Sequence, residues 1–397
     1  EDWDLDRRPQ IRDRMPVLID DDLAFEDDGR SRPTTAMNLW LRELPISGAP
    51  SPKTWLTYAQ VLKNWSEFLT ANDTSPFAGR ERLRAVLSLY AEHRISGPIE
   101  SRISVPSWNL AVKTLAAFYK WAQSEEYVDE VPFTFASHSF IRPDGQRVNH
   151  DRNQAVLRQG KAHATRKYLE PQFVELLLHA LAGNDPTGAR DTFRGYETGR
   201  NAAVIGLALS SGLRASEFKY LTAFEIPPLP SRRTAVPISL PIAPPTAKGR
   251  RGRVTWVDHE ALARVHDYVR WERAACIDEA RWKPARPLLV ENPTYHGARI
   301  NGVPRAWHTL TPSDRTRLVL PTGGSALLSV KSDGGPFLSW SSVLRRTSQR
   351  IQERWEPSFP HVHPHILRHT FAMTTLERLV RGYYQQAARL EVDADGD

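Results

Sequence analysis

The chain has 397 residues, enough for two domains with their own cores, and carries a net charge of +7 at pH 7. It contains no apolar run of about 18 residues and no signal-peptide pattern, which argues against a membrane-spanning or secreted protein. Its single cysteine, Cys276, rules out an intrachain disulfide and suits a reducing, cytoplasmic setting.

The charge is unevenly spread. Residues 1–32 hold eleven acids against six arginines, a net of −5, which leaves +12 on residues 33–397. The basic body favours a polyanionic partner. Residues 1–33, turn-rich and weakly apolar, read as an acidic N-terminal arm. From residue 34 to about residue 132 the pattern is helical. Ser51 and Pro52 open a helix as cap and first-turn proline, and Trp55, Tyr58, Leu62, Trp65 and Leu69 recur at helical spacing as a core stripe. Another helix runs from about Ser107 to Ser124 with Leu110, Leu115, Phe118 and Trp121 inward, leaving Ser107, Asn109 and Lys113 on its polar side. Residues 133–166, with Pro143, Gly145 and Gly160, are polar and irregular and read as an interdomain linker.

A second domain begins at Lys167–Pro171 with a helix through Leu181. Asn201 to Leu209 is an apolar helix; Gly212 suits the left-handed position after its end, and a further helix follows. The proline-rich residues 226–245 break the helical pattern and lead into a small sheet. Residues 284–340 are loop-rich, with Trp307, Gly323-Gly324 and Gly334-Gly335, and no element is assigned to them. The fold expected is mainly α with a small β-sheet, an α+β arrangement.

Three segments of the second half carry chemistry. His365-Ile366-Leu367-Arg368-His369-Thr370-Phe371-Ala372 opens an amphipathic helix behind Pro364, and His365 and Arg368 share one face at i, i+3. A helix start already favours anions, so this pair suits a phosphate. Ser210-Ser211-Gly212-Leu213-Arg214-Ala215-Ser216-Glu217 puts Arg214 at a helix–helix junction, with Glu217 one turn later to orient its guanidinium. Between them, Thr246-Ala247-Lys248-Gly249-Arg250-Arg251-Gly252-Arg253-Val254-Thr255-Trp256-Val257 reads as a β-hairpin with a basic turn.

Together, in this order, the three segments resemble the two arginine boxes and the lysine hairpin of the tyrosine recombinases, the phage-integrase family. The helices of residues 34–132, above all Phe118-Tyr119-Lys120-Trp121-Ala122, resemble that family's core-binding (SAM-like) domain. The resemblance implies domains at residues 34–132 and 167–397 closing as a C-shaped clamp around double-stranded DNA, with the linker between them. It implies a site-specific recombinase or integrase of a mobile element that breaks and rejoins DNA through a 3′-phosphotyrosyl intermediate, with no metal and no ATP. Arg214 and Arg368 would grip the non-bridging oxygens, Lys248 would protonate the leaving 5′ oxygen, and His365 would assist proton transfer. Arg250, Arg251, Arg253 and Lys113 are the expected DNA contacts. His369 is read as a packing residue. The resemblance also implies an oligomer, a synaptic tetramer of this chain or a mixed assembly with related recombinases.

The tail departs from the family's pattern. No Leu-Gly-His follows Arg368, and Tyr383 and Tyr384 lie only fifteen and sixteen residues beyond it. No nucleophile is assigned, and a further C-terminal segment carrying a histidine and a tyrosine is the expected explanation, in a chain that also starts without methionine. The second reading is a catalytically inactive DNA-binding partner with the same fold. A third, a metallo-hydrolase built on His361, His363, His365 and His369, lacks the Glu after His365 that a zinc-protease helix carries.

Overall fold

The computed structural model describes residues 11–12, 14–23, 32–49, 51–141, 146–158, 167–193 and 195–394. It is mainly helical with small sheets, an α+β architecture, and divides into two compact units, residues 1–163 and 164–397. Proline in the first turn, where its missing N–H costs nothing, sets the start of many of the helices.

The first unit contains α1 (Pro33–Glu43), α2 (Pro52–Thr70), α3 (Arg80–Ile95), α4 (Val105–Ser124) and the antiparallel pair β1 (Phe135–Ile141) and β2 (Arg147–Asn153). Its core is aromatic: Trp40, Trp55, Trp65, Tyr90, Trp108, Phe118 and Tyr119 are all buried. Burying an indole requires a partner for its N–H. Trp65 Nε1 donates to the Tyr119 hydroxyl at 2.9 Å, which donates on to the Pro76 carbonyl at 3.1 Å. Truncating Trp65 would cost about 3–5 kcal/mol by cavity formation alone.

Five expectations for this unit need correction. The residues read as an irregular linker include the β1–β2 ribbon, whose strands mix polar and apolar residues along both faces and so show no alternation; residues 142–145 and 159–166 lie outside the described residues. Asn109 is not simply a solvated polar residue of α4: its amide pairs with both backbone groups of Leu157 (2.9 and 3.0 Å), while Trp108 Nε1 donates to the Ala155 carbonyl. Leu110 is exposed, because Trp108, Ala111, Val112 and Leu115 already fill the inward face of α4. Part of the acidic arm is packed on the bundle, with Met15 buried and both backbone groups of Leu18 bonded to the Asn38 amide at 2.8 Å. Ser51 occupies the cap position of α2 but makes no side-chain cap bond.

The second unit runs α5 (Pro171–Ala182), α6 (Thr198–Ser211), α7 (Ala215–Phe218), β3 (Ile238–Ile242), β4 (Arg253–Val257), α8 (His259–Tyr268) and, after a π-helical turn, α9 (Ala274–Asp278). It continues with β5 (Leu288–Glu291), β6 (Gly297–Ile300), β7 (Val303–Ala306), α10 (Pro312–Arg315), β8 (Leu318–Val319), α11 (Trp340–Arg354) and α12 (Pro364–Ala394). The apolar α6 is the central helix, with Ala203 to Ala208 all buried against α5, α8 and α12. β3 and β4 form an antiparallel pair. The stretch without an assigned element holds a four-stranded sheet in the order β7-β6-β5-β8, with β5 and β8 parallel, around Val290, Ile300, Trp307 and Leu318.

Three buried arginines fasten this sheet and the segment after it to the helices. Arg315 is fully buried and makes a two-pronged ion pair with Glu225 (2.6 and 2.8 Å); it also donates to the carbonyls of Tyr220, Trp307 and Leu310. Arg273 donates to the carbonyls of Ser325 and Leu327. Arg200 reaches the Val330 carbonyl and Glu197 while lying 3.6 Å from the Phe337 ring centroid. No helix among the described residues is long and apolar enough to cross a membrane.

Candidate active site

α6 ends at Gly212, whose φ of +61° is the left-handed conformation that glycine adopts without penalty. A Cβ there would also collide with the Phe371 ring of α12, 2.3 Å away. One glycine thus lets the chain turn and lets α12 approach. The two carbonyls at this turn hold the other two segments. Ser211 accepts a hydrogen bond from Thr255 Oγ1 of β4 at 2.6 Å, and Gly212 accepts one from Arg368 Nη1 of α12. Elements separated by up to 156 residues therefore meet at two consecutive peptide groups.

Arg214 follows this turn and occupies the cap position of α7, the further helix expected here, which is a single turn. Glu217, its side chain 0% exposed, accepts the Arg214 backbone N–H (2.7 Å) and Nη1 (3.1 Å). It is also gripped on both oxygens by Arg253, with Nη2–Oε2 at 2.8 Å and Nη1 on Oε1. Burial alone would push the Glu217 carboxyl up; the Arg253 hydrogen bond, the Arg214 N–H and the Arg253 charge outweigh it and hold the carboxyl below the usual range. Arg253 is therefore not a free contact on a basic loop. It points inward because Arg253, Thr255 and Val257 alternate with the outward Val254 and Trp256.

Three guanidiniums crowd around one carboxylate here, Arg214 and Arg253 bonded to it and Arg368 only within its field, leaving two positive charges uncompensated. Arg214 is 35% exposed, and its Nε and Nη2 have no hydrogen-bond partner among the described residues. Arg368 spends one Nη on Gly212, and the rest of its fork has no hydrogen-bond partner among the described residues. Burial, Arg214 and Arg253 all disfavour the Arg368 cation, partly offset by Glu217. The site is thus electrostatically incomplete in a way that an anion would correct.

His365 lies in the first turn of α12 on the face of Arg368 and is exposed. Its backbone N–H donates to His363 Nδ1 at 3.3 Å, and its ring packs edge-on against His369 with centroids 4.4 Å apart. Partial burial, then His369, His363, Arg368 and Arg214, hold the His365 pKa below the usual imidazole value. His369 is the packing neighbour expected. Among the described residues no group of three or more His, Cys, Asp or Glu side chains is placed to hold a metal ion.

Lys248 is exposed in the basic turn that joins the antiparallel strands β3 and β4, within a 3-10 turn that contains Gly249 at φ +70°; the first strand of this hairpin lies upstream of residues 246–257. Arg250 and Arg251 are exposed beside it and form no ion pair among the described residues. Lys113 is exposed on α4, in the other unit. Tyr383 and Tyr384 are on α12, 70% and 67% exposed. The three recombinase-like segments did not include His363, named above only within the metal-binding alternative, or the exposed Arg345 and Arg346 on α11, which form no ion pair among the described residues. For the latter, the signal was two adjacent arginines on an amphipathic helix just upstream of the His365 segment.

No family profile matches the chain, and no curated protein matches it. Among solved structures, it is similar to the Tn1549 transposon integrase (residues 82–397) in complex with circular-intermediate DNA. The sequence identity is 15%, the match covers 86% of this chain and 87% of that one, and the TM-score is 0.47. Similarity at that level transfers no residue role from one chain to the other.

Proposed function

We propose that the chain is a tyrosine-type site-specific DNA recombinase whose second unit binds one phosphodiester of a DNA strand and prepares it for transesterification. The observation that carries this reading is the pairing of Arg214 and Arg368 around Gly212, both with open donors beside the first turn of α12. Two guanidinium forks hold non-bridging oxygens, and their grip tightens as the pentacoordinate transition state gains charge. His365 stands next to the oxygens as a proton carrier or hydrogen-bond donor. Lys248, on the turn that β4 anchors through Thr255, serves as the acid for the leaving 5′ oxygen. Arg250, Arg251 and Lys113 contact DNA phosphates, and copies assemble on paired sites.

The nucleophile is not either tyrosine of α12 acting on its own clamp. Fifteen helical residues separate Arg368 from Tyr383, roughly 22 Å along the axis. That distance favours a tyrosine supplied by another copy or by a further stretch of protein. It also supports the second reading, a partner that binds DNA without cutting it. The test is to trap covalent protein–DNA adducts on duplexes carrying the ends of the element that encodes the protein, using the complete gene product. Arg214→Ala and Arg368→Ala should each reduce adduct formation by about a thousandfold while duplex binding persists and weakens steeply with salt. Adducts at the parent rate in either variant refute the clamp. Specific binding with no adduct in any form of the protein selects the non-cleaving partner.

A further inference from the structure

Resting on the reading of Arg214 and Arg368 as a phosphate clamp, we infer that Arg253 is a positioning residue that keeps the Arg214 fork free by occupying Glu217. A carboxylate offers about four lone-pair sites, and all four on Glu217 are used: two by the Arg253 fork, one by the Arg214 N–H and one by Arg214 Nη1. Arg253 holds the end-on, two-pronged position that a guanidinium prefers on a carboxylate. Arg214 is left with a single side-on contact and so presents Nε and Nη2 outward.

Glu217 is wholly buried, so it cannot turn to water for compensation. Without Arg253, the nearest cation able to satisfy both its oxygens is Arg214, already bonded to it at 3.1 Å. The Arg214 fork would fold onto the carboxylate and its donors would be lost to a ligand. A residue that never touches the phosphate would thereby control its binding. β4 is suited to deliver this residue, because Thr255, two positions on and on the same inward face, is bonded to Ser211 beside the clamp.

The experiment uses the full chain, inorganic phosphate as ligand, arginine side-chain 15N–1H signals as readout, and the melting midpoint as a check on folding. Arg253→Gln should weaken phosphate binding by about tenfold or more, the equivalent of one charge-assisted hydrogen bond. The decisive variant is Arg253→Gln with Glu217→Gln. Removing the carboxylate that captures Arg214 should restore part of the lost affinity, which loss of a merely structural contact would not do. Parent-like binding by Arg253→Gln, or a double variant weaker than the single one, overturns the inference. Should Arg253→Gln fail to fold, Arg253→Lys decides: it keeps the charge but not the fork, and parent-like binding by it overturns the inference. Arg368→Gln separates the two levels. If it abolishes binding while Arg253→Gln binds phosphate as the parent does, the clamp stands and the inference falls. If Arg368→Gln binds as the parent does, or the parent ignores phosphate, the clamp falls and takes the inference with it.

Discussion

The second unit contains two groups of arginines out of bulk water, and they are treated in opposite ways. Arg315, Arg273 and Arg200 are buried and supplied with acceptors: Arg315 has Glu225 and three carbonyls, Arg273 two carbonyls, and Arg200 a carbonyl, Glu197 and an aromatic face. Arg214, Arg253 and Arg368 are half-buried around a single carboxylate, with donors left open. The first group joins pieces of the fold, since satisfied cations have nothing left to give a ligand. The second group is held short of satisfaction by the same unit that gives the first group its acceptors. Incomplete neutralisation on a rigid frame is what separates a binding site from a structural staple.

The sharpest way to break this comparison is to remove one member of each group. Arg315→Met should cost about 3–5 kcal/mol, because Glu225 is left buried without its cation. Replacing both, Arg315→Met with Glu225→Leu, should recover much of that loss. Arg368→Met, by contrast, relieves like-charge crowding and should change stability by no more than about 1 kcal/mol. Urea unfolding midpoints at constant slope measure both, and equal losses from the two single variants would erase the distinction.

A smaller effect concerns acid. The folded-state pKa of Glu217 lies below its ordinary value, so its contribution to stability is complete above the usual carboxylate range. That contribution is lost as the pH falls through the lower folded value. Glu217→Gln should therefore flatten the acid limb of the stability curve; an unchanged limb would show that the shared carboxylate is not what the three arginines stabilise.

The smallest effect belongs to His365. Its folded pKa is depressed, so without DNA its contribution is present above the usual imidazole value and fades as the pH drops through the lower one. A phosphodiester should reverse the sign, because its anionic oxygens favour the imidazolium. Melting midpoints across that range with and without duplex test this, and a pH response that His365→Gln leaves intact would exclude His365 as its source.

How much of this was legible beforehand depended on how local each signal is. Arg214, Glu217, His365 and Arg368 sit in short segments where a turn glycine, a helix start and i, i+3 spacing are all visible. Arg253 was also visible in principle, through its alternation with Thr255 and Val257, but its place after Arg250 and Arg251 makes it look like one more solvated cation. β5 to β8 are two to four residues long, too short for periodicity to register. The packing of Met15 and Leu18 depends on Asn38, some twenty residues away. The grip of Arg253 on Glu217 of α7 spans 36 residues. Each of these rests on a contact that no window of sequence contains.

The meeting of α6, β4 and α12 at Ser211 and Gly212 also sets when the site comes into being. Arg214 leaves the ribosome about 150 residues before Arg368, an interval of roughly 8–30 s at ordinary elongation rates. During that interval the protein holds half of a phosphate grip, and the frame that shapes the other half has not been made. The growing chain is thus unable to engage a scissile phosphate with both forks until α12 has emerged and seated Phe371 against Gly212.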